Sequence, residues 1–401
     1  MTRAPERLDP WWPTARQTLL LRAALLPREP AISAWREWCD TGVLDDVDSG
    51  SFRLLPLLYR NLTRHNIDEP QFPRLRGVYR QAWYRNQLAT EQAHEAVRVL
   101  ADQDIPVMLL KGTALIEGVY GEMGARPMDD VDLMVPRRFA RGALRLLGDA
   151  GWVSSMHRDG DFQRPMRIVH GVPLHRPNGL AIDLHWRLLD ESPAGHDSAF
   201  WEAAEPFEFG GMRALRLCPS DQILHLSVHG IRWDPIPPIR WAADLYLVLQ
   251  RRGPEVDWER LVAQAVGRGL TLELLAALTY VRQQLGAHVP DEVLRELRAA
   301  RPSRLAYLDF RAQGARTTVA SQVARYLTRY ARLSSGQPML RRFADAPFYL
   351  QELWGLERAR DVPLDGARRI AARIRDVGFR FWRPLPAPAS GPPAAGRSRH
   401  S

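Results

Sequence analysis

The spacing of apolar residues changes twice along the chain. From residue 75 to 103 apolar side chains recur at roughly helical spacing, at Val78, Trp83, Leu88, Ala93 and Val97, with no proline among them. Pro70 and Pro73 stand just ahead as start signals. Residues 1–103 therefore read as a helical N-terminal region. Between 104 and 210 the period shortens. Residues 105–110 form an apolar run that stops at Lys111-Gly112 and predicts a buried strand. Residues 113–120 fit a helix with Thr113 as N-cap, broken by Gly121 and Gly124. Residues 131–135 predict a second buried strand, and 137–150 an amphipathic helix closed by Gly151. Strand-like pieces follow at 166–169, 172–175 and 180–189.

Helical spacing returns near Pro219. Ser220 caps a helix over 221–230, and Pro238 precedes one running to Arg251. Further helices are predicted over 256–268, 270–285, 290–300, 316–334 and 365–382. Residues 211–383 thus read as a helical C-terminal domain, and 384–401, rich in Pro, Ala, Gly, Ser and Arg, as a disordered tail. The predicted fold class is α+β: a small mixed-sheet core at 104–210 flanked by N-terminal and C-terminal helical regions.

Composition narrows this picture. A chain of 401 residues with 45% hydrophobic content has room for two or three domains and a sizeable core. No run of eighteen apolar residues occurs, so no transmembrane segment is expected. Arg22 interrupts the first apolar stretch, so no signal peptide is read and a cytoplasmic location is expected. Cys39 and Cys218 lie far apart and form neither a metal nor a disulfide pattern. The net charge of +9 permits phosphate, nucleic-acid or anionic-surface partners. Its spread along helices leaves nucleic acid possible but not favoured. Of the 55 basic residues only Lys111 is a lysine. A compact ammonium on a flexible stem differs physically from a planar guanidinium, so a site at Lys111 would resist that exchange.

The chemistry-bearing pattern begins with Asp130-Val-Asp132. On a strand, alternate side chains share a face, so both carboxylates can hold the same hard cations. Two metals so held stabilise both oxygens of an in-line displacement. The tetrapeptide Asp-Asp-Val-Asp occurs twice, at 45–48 and at 129–132. The first copy runs into Ser-Gly-Ser and reads as a solvated loop or helix cap. The second runs into Leu-Met-Val and comes after a strand, a glycine turn and a helix. That turn suits a phosphate, because Gly112 lets backbone approach closely and the next helix presents free N–H groups. Thr113 can add a hydroxyl. Arg126 either grips a phosphate bidentately or closes a surface ion pair. A third carboxylate is sought downstream, and Asp183, in Ala-Ile-Asp-Leu-His-Trp, is the best candidate, sharing a strand face with His185. Asp183 can bind metal or take a proton from a hydroxyl. His185 either orients the acceptor or, the favoured reading, is a satisfied structural histidine.

The ordered set Lys111-Gly112-Thr113, Arg126, Asp130-x-Asp132 and Asp183-x-His185-Trp186 resembles the uncharacterised nucleotidyltransferase family of the polymerase-β-like superfamily. The likeness spans roughly residues 100 to 250 and takes in the His225/His229 region and Trp241 to Asp244. Gly-Thr stands where the superfamily pattern has Gly-Ser or Gly-Gly. The resemblance implies nucleotide binding at Lys111, Gly112, Thr113 and Arg126. It implies metal binding and catalysis at Asp130, Asp132 and Asp183, with two Mg²⁺ ions, an NTP substrate, a hydroxyl acceptor and pyrophosphate release.

Other patterns are weaker. No Gly-x₄-Gly-Lys-Ser/Thr, Gly-x-Gly-x-x-Gly or His-Glu-x-x-His occurs. His225 and His229, four apart on a helix, are read as core or hydrogen-bonding residues rather than ligands. Trp233, Trp241 and Tyr246 are read as packing. The basic amphipathic segment at 368–382 is read as a docked helix in preference to a membrane or RNA contact. The competing functional readings are a non-catalytic nucleotide-binding module and an RNA- or membrane-associated module on the same fold. Nothing in the pattern selects an acceptor, a nucleobase or an oligomeric state.

Overall fold

The structure is a computed structural model and describes residues 11–67, 69–154, 166, 169–176, 181–189, 197–231, 239–314, 319–335, 337–354, 356 and 358–369. The expected strand at 166–169, Trp233, most of the basic segment at 368–382 and the tail at 384–401 fall wholly or largely outside these residues. The fold is α+β as expected, with helices flanking one mixed sheet.

Among the described residues the sheet has seven strands: β1 (Met108–Leu109), β2 (Asp130–Met134), β3 (Val153–Ser154), β4 (Gly171–His175), β5 (Ala181–His185), β6 (Glu205–Phe209) and β7 (Met212–Arg216). Their order is β3-β4-β5-β2-β1-β7-β6. β2 pairs parallel with β5, β1 parallel with β7, and the other neighbours are antiparallel. β1 is shorter than the apolar run that predicts it because Pro106 has no N–H to donate. Pairing nonetheless continues past both its ends. Leu215 N–H donates to the Val107 carbonyl at 2.9 Å, and Leu110 N–H to the Asp132 carbonyl at 3.0 Å.

The sheet does not end at 210. β6 and β7 form a hairpin whose turn is Gly210-Gly211, with φ of 58° and 78°. Positive φ at both turn residues is what a tight hairpin requires, and glycine adopts it without steric cost. The expected boundary at 210 therefore cuts a hairpin in two, and β7 lies beside β1 within the sheet. Gly-Gly between two alternating runs was the signal for it.

Alternation on β2 places two different surfaces back to back. Val131 and Leu133 pack into a core with Ala89, Ala93, Ala96 and Val97 of the helix Phe72–Ala101. Asp130, Asp132 and Met134 point the other way, and Met134 joins the larger core that holds the C-terminal helices. Small residues on the long helix let it lie close to the sheet. Its buried face runs through Leu75, Ala82, Asn86, Ala89 and Ala93. Trp83 and Leu88, expected on that face, are exposed. The five-residue steps from 78 to 83 to 88 rotate around a helix by roughly 140° each, so they cannot form one stripe.

The C-terminal helices lie near their expected positions, but not every cap does. The helix Pro219–Gly230 starts from Cys218, not Ser220, and Arg240–Arg252 comes next. Thr271–Leu285 is buried nearly all round and serves as the central post of this region. The helices Arg304–Gly314 and Met339–Trp354 were not anticipated. Gly230 is required at its crossing: a Cβ there would lie 2.2 Å from Trp241 Cγ.

Candidate active site

β2 and β5 lie parallel with Asp132 opposite Asp183, so three carboxylates converge. Asp130 and Asp132 share a face two residues apart, and Asp183 is the register partner of Asp132 on the next strand. His185 lies one step further along the same face of β5. Its Nε2 is 3.0 Å from Asp132 Oδ1. Lys111 Nζ donates to the same oxygen at 3.0 Å. Single ligand atoms of Asp132, Asp183 and His185 lie within 4.8 Å of one another.

The three acids differ electrostatically. Burial, then repulsion from Asp132 and Asp183, pushes Asp130 up to about 6. Burial also raises Asp183, with Asp132 adding to the effect and His185 opposing it. Asp132 is the most enclosed, at 6% exposure. Burial there is outweighed by Lys111 and His185, which hold its carboxyl well below the usual carboxylate range. Negative charge on Asp130 and Asp183 is therefore less well compensated than on Asp132.

These acids open on a cavity of about 320 Å³. Lys111, Gly112 and Met128 border it on the sheet side. Leu226, His229, Gly230, Arg240, Trp241 and Asp244 close it from the helical side. The cavity is thus built between the two parts of the molecule.

The remaining expected site residues occupy distinct positions. Lys111 begins a short helix, Lys111–Leu115, which continues as a wider turn over Ile116–Tyr120. Its φ of 37° lies in the left-handed region, unusual for a residue with a side chain. Gly112 lines the cavity, and a Cβ on it would sit 2.4 Å from Met128 Sδ. The glycine is therefore demanded by close packing. Thr113 is not the cap of this helix; Leu110 holds that place with extended backbone. The Thr113 hydroxyl is buried and faces Met128 Sδ at 3.8 Å. Arg126 lines the cavity, but its guanidinium makes a bidentate pair with Asp244, Nε and Nη2 each at 2.8 Å. His185, 5% exposed, has Asp132 as its partner. The other Asp-Asp-Val-Asp copy is a helix cap: Asp48 accepts from Ser51 N at 2.9 Å.

Two residues that local pattern did not mark hold the site together. Asp244 takes Arg126 and also accepts from the Tyr120 hydroxyl at 2.6 Å. Asn86, on the long N-terminal helix, donates to the carbonyls of Met123 and Arg126 at 2.6 and 2.8 Å and accepts from Met128 N at 2.9 Å. A polar amide among the small residues of the buried helix face was the only trace of Asn86 in the sequence.

No curated protein matches the chain. Among solved structures it is similar to the antibiotic-resistance factor ANT(2'')-Ia, at 14% identity and a TM-score of 0.28 over 49% of this chain and 93% of that one. It is also similar to an antigenic nucleotidyltransferase-like protein from Paracoccidioides brasiliensis, at 15% identity and a TM-score of 0.31 over 55% of this chain and 94% of that one. The match that covers most of the fold is to a family. The model described as "Uncharacterised nucleotidyltransferase" matches residues 51–286. That span includes every residue around the cavity, from Arg53 to Asp244. The chain belongs to this uncharacterised nucleotidyltransferase family and is a nucleotidyltransferase.

Proposed function

We propose that the enzyme is Mg²⁺-dependent and moves a nucleoside monophosphate from an NTP to a hydroxyl acceptor, releasing pyrophosphate. The observation that carries this is the register pairing of Asp132 with Asp183 beside Asp130, at the edge of the cavity. The donor set fits a hard cation. It is dominated by carboxylate oxygens, and at Asp130 and Asp183 burial and repulsion between the acids outweigh the pull of Lys111 and His185. Asp130, Asp132 and Asp183 would hold two Mg²⁺ ions, which when bound stabilise the attacking and leaving oxygens of an in-line displacement.

The protein's own residues do the rest. The hydroxyl oxygen of the acceptor forms its bond to the α-phosphorus as the bond to the bridging oxygen of the β-phosphate breaks. The hydroxyl proton passes to the Asp183 carboxylate, which lies on the cavity wall beside the acid pair. His185 positions Asp132 through its Nε2 contact. Lys111 and the Gly112 backbone face the cavity where the phosphates would lie. Arg126 and Thr113 act from behind, through Asp244 and Met128. No described helix is long and apolar enough to cross a membrane. A substrate drawn from NTP pools carries with it a cytoplasmic location.

Labelled ATP, CTP, GTP and UTP with Mg²⁺ and candidate acceptors test the proposal. Transfer by wild type that is lost in Asp130→Ala and Asp132→Ala supports it. Transfer retained in both variants removes these acids from the mechanism.

A further inference from the structure

Of the lysine and arginine side chains around the cavity, one forms no ion pair among the described residues. Four arginine and lysine side chains line it: Arg53, Lys111, Arg126 and Arg240. Arg53 pairs with Asp129 at the rim. Lys111 pairs with Asp132 and Arg126 with Asp244. Among the described residues Arg240 meets no carboxylate within ion-pair distance. Its single hydrogen-bond partner among them is the Pro127 carbonyl, reached by Nη1 at 2.5 Å. That bond anchors one nitrogen and leaves the rest of the guanidinium fork without a described protein acceptor. Burial, and repulsion from the neighbouring Arg126, outweigh the attraction of Asp244 and push its proton affinity down to about 10. Arg240 is half-buried and lines the cavity, so an anion that enters there can take its remaining N–H groups.

The position of Arg240 says which anion. The acids on the sheet side repel a bare phosphate, so cations must sit where the negative charge of the substrate is densest. Arg240 faces the cavity from the helical side, at the first residue of Arg240–Arg252, with the Pro127 carbonyl holding one guanidinium nitrogen close to the loop that ends at Asp130. A planar fork matches phosphate oxygens in pairs.

We infer that Arg240 is a polyphosphate-binding residue of this site, receiving the terminal phosphates of the NTP and then the pyrophosphate that leaves. The inference rests on the proposed nucleotidyl transfer. It adds that the helical domain supplies an essential contact, so the sheet alone is half a site. Neither a motif nor spacing marks Arg240, because its significance lies in what it lacks.

The experiment uses the full chain with Mg²⁺ and inorganic pyrophosphate as probe, read by calorimetry and by thermal shift. Wild type is expected to bind and to gain thermal stability. Arg240→Met should bind roughly 10- to 100-fold more weakly, the loss typical of a charge-assisted contact. Arg240→Lys should fall between, keeping charge but losing the fork. Arg145→Lys, on an exposed helix face outside the cavity, serves as control and should bind like wild type. If Arg240→Met melts like wild type and still binds pyrophosphate equally well, the inference is overturned. Should Arg240→Met fold poorly, Arg240→Lys decides instead: wild-type affinity overturns the assignment and a loss supports it. Failure of the transferase reading looks different. There, wild type itself transfers no nucleotide, whatever Arg240 does with pyrophosphate.

Discussion

At the scale of single residues, Lys111 occupies a backbone conformation that would suit a glycine better. A left-handed φ costs a residue with a Cβ roughly 1 kcal/mol, and at 37° Lys111 accepts that strain while its Nζ reaches Asp132. The side chain is therefore the reason for the residue. Lys111→Arg is expected to lower kcat/KM at least roughly tenfold, because a planar guanidinium cannot replace a compact ammonium at 3.0 Å from an enclosed carboxylate. Steady-state kinetics beside Arg145→Lys checks this, and equal values for both variants would make the lysine incidental. Gly112 gives a second residue-scale prediction. Gly112→Ala brings a Cβ to 2.4 Å from Met128 Sδ, so activity should drop sharply. Removing the obstacle in Gly112→Ala/Met128→Ala should restore part of it, and absence of any rescue would show that the alanine disturbs the phosphate approach itself.

Between elements, the loop from Met123 to Met128 is held from two sides. Asn86 on the N-terminal helix satisfies its backbone, and Asp244 on the C-terminal helix takes its arginine. Asp244 is buried; the ion pair with Arg126 overcomes burial and holds its carboxyl below the usual range. A depressed carboxylate contributes stability above its unfolded pKa, and that stability disappears as pH falls through the folded value. Asp244→Asn should therefore cost roughly 3 to 5 kcal/mol near neutral pH, the usual consequence of orphaning one member of a buried pair. The gap to wild type should begin to narrow below about pH 4, where Asp244 takes up a proton in the unfolded chain, and close only as pH falls through its lower folded value. Chemical denaturation across pH measures it, and a gap independent of pH would mean that packing, not charge, is lost. Of these elements, the two strands bearing the acids were plain from apolar runs and the Gly-Thr turn. The hairpin at Gly210-Gly211 left a clear signal that the helical reading of residues beyond 210 passed over.

For the whole molecule, the sheet draws on partners outside residues 104–210. Arg126 needs Asp244, the carbonyls of Met123 and Arg126 need Asn86, and β1 needs β7. Each partner lies outside residues 104–210. A fragment of 104–210 is expected to show no cooperative thermal transition, whereas the full chain melts with a defined one. Calorimetry of the two decides, and a sharp transition in the fragment would restore the sheet as an independent domain.

The sequence alone determined the α+β class and the buried strands, and it singled out Lys111, Gly112, Asp130, Asp132 and Asp183. Those features are local: apolar period, glycine placement and carboxylate spacing are written within a few residues of one another. It also separated two identical Asp-Asp-Val-Asp segments by their flanking residues, Ser-Gly-Ser after one and Leu-Met-Val after the other. Only the tertiary structure decided what each charged group faces. Arg126 meets Asp244 118 residues away, and His185 meets Asp132 53 residues away. Arg240 stands out only once every other cation in the cavity has found its acid. Ion pairing depends on distances of a few ångströms between residues remote in the chain, and hydrophobic periodicity carries no record of them.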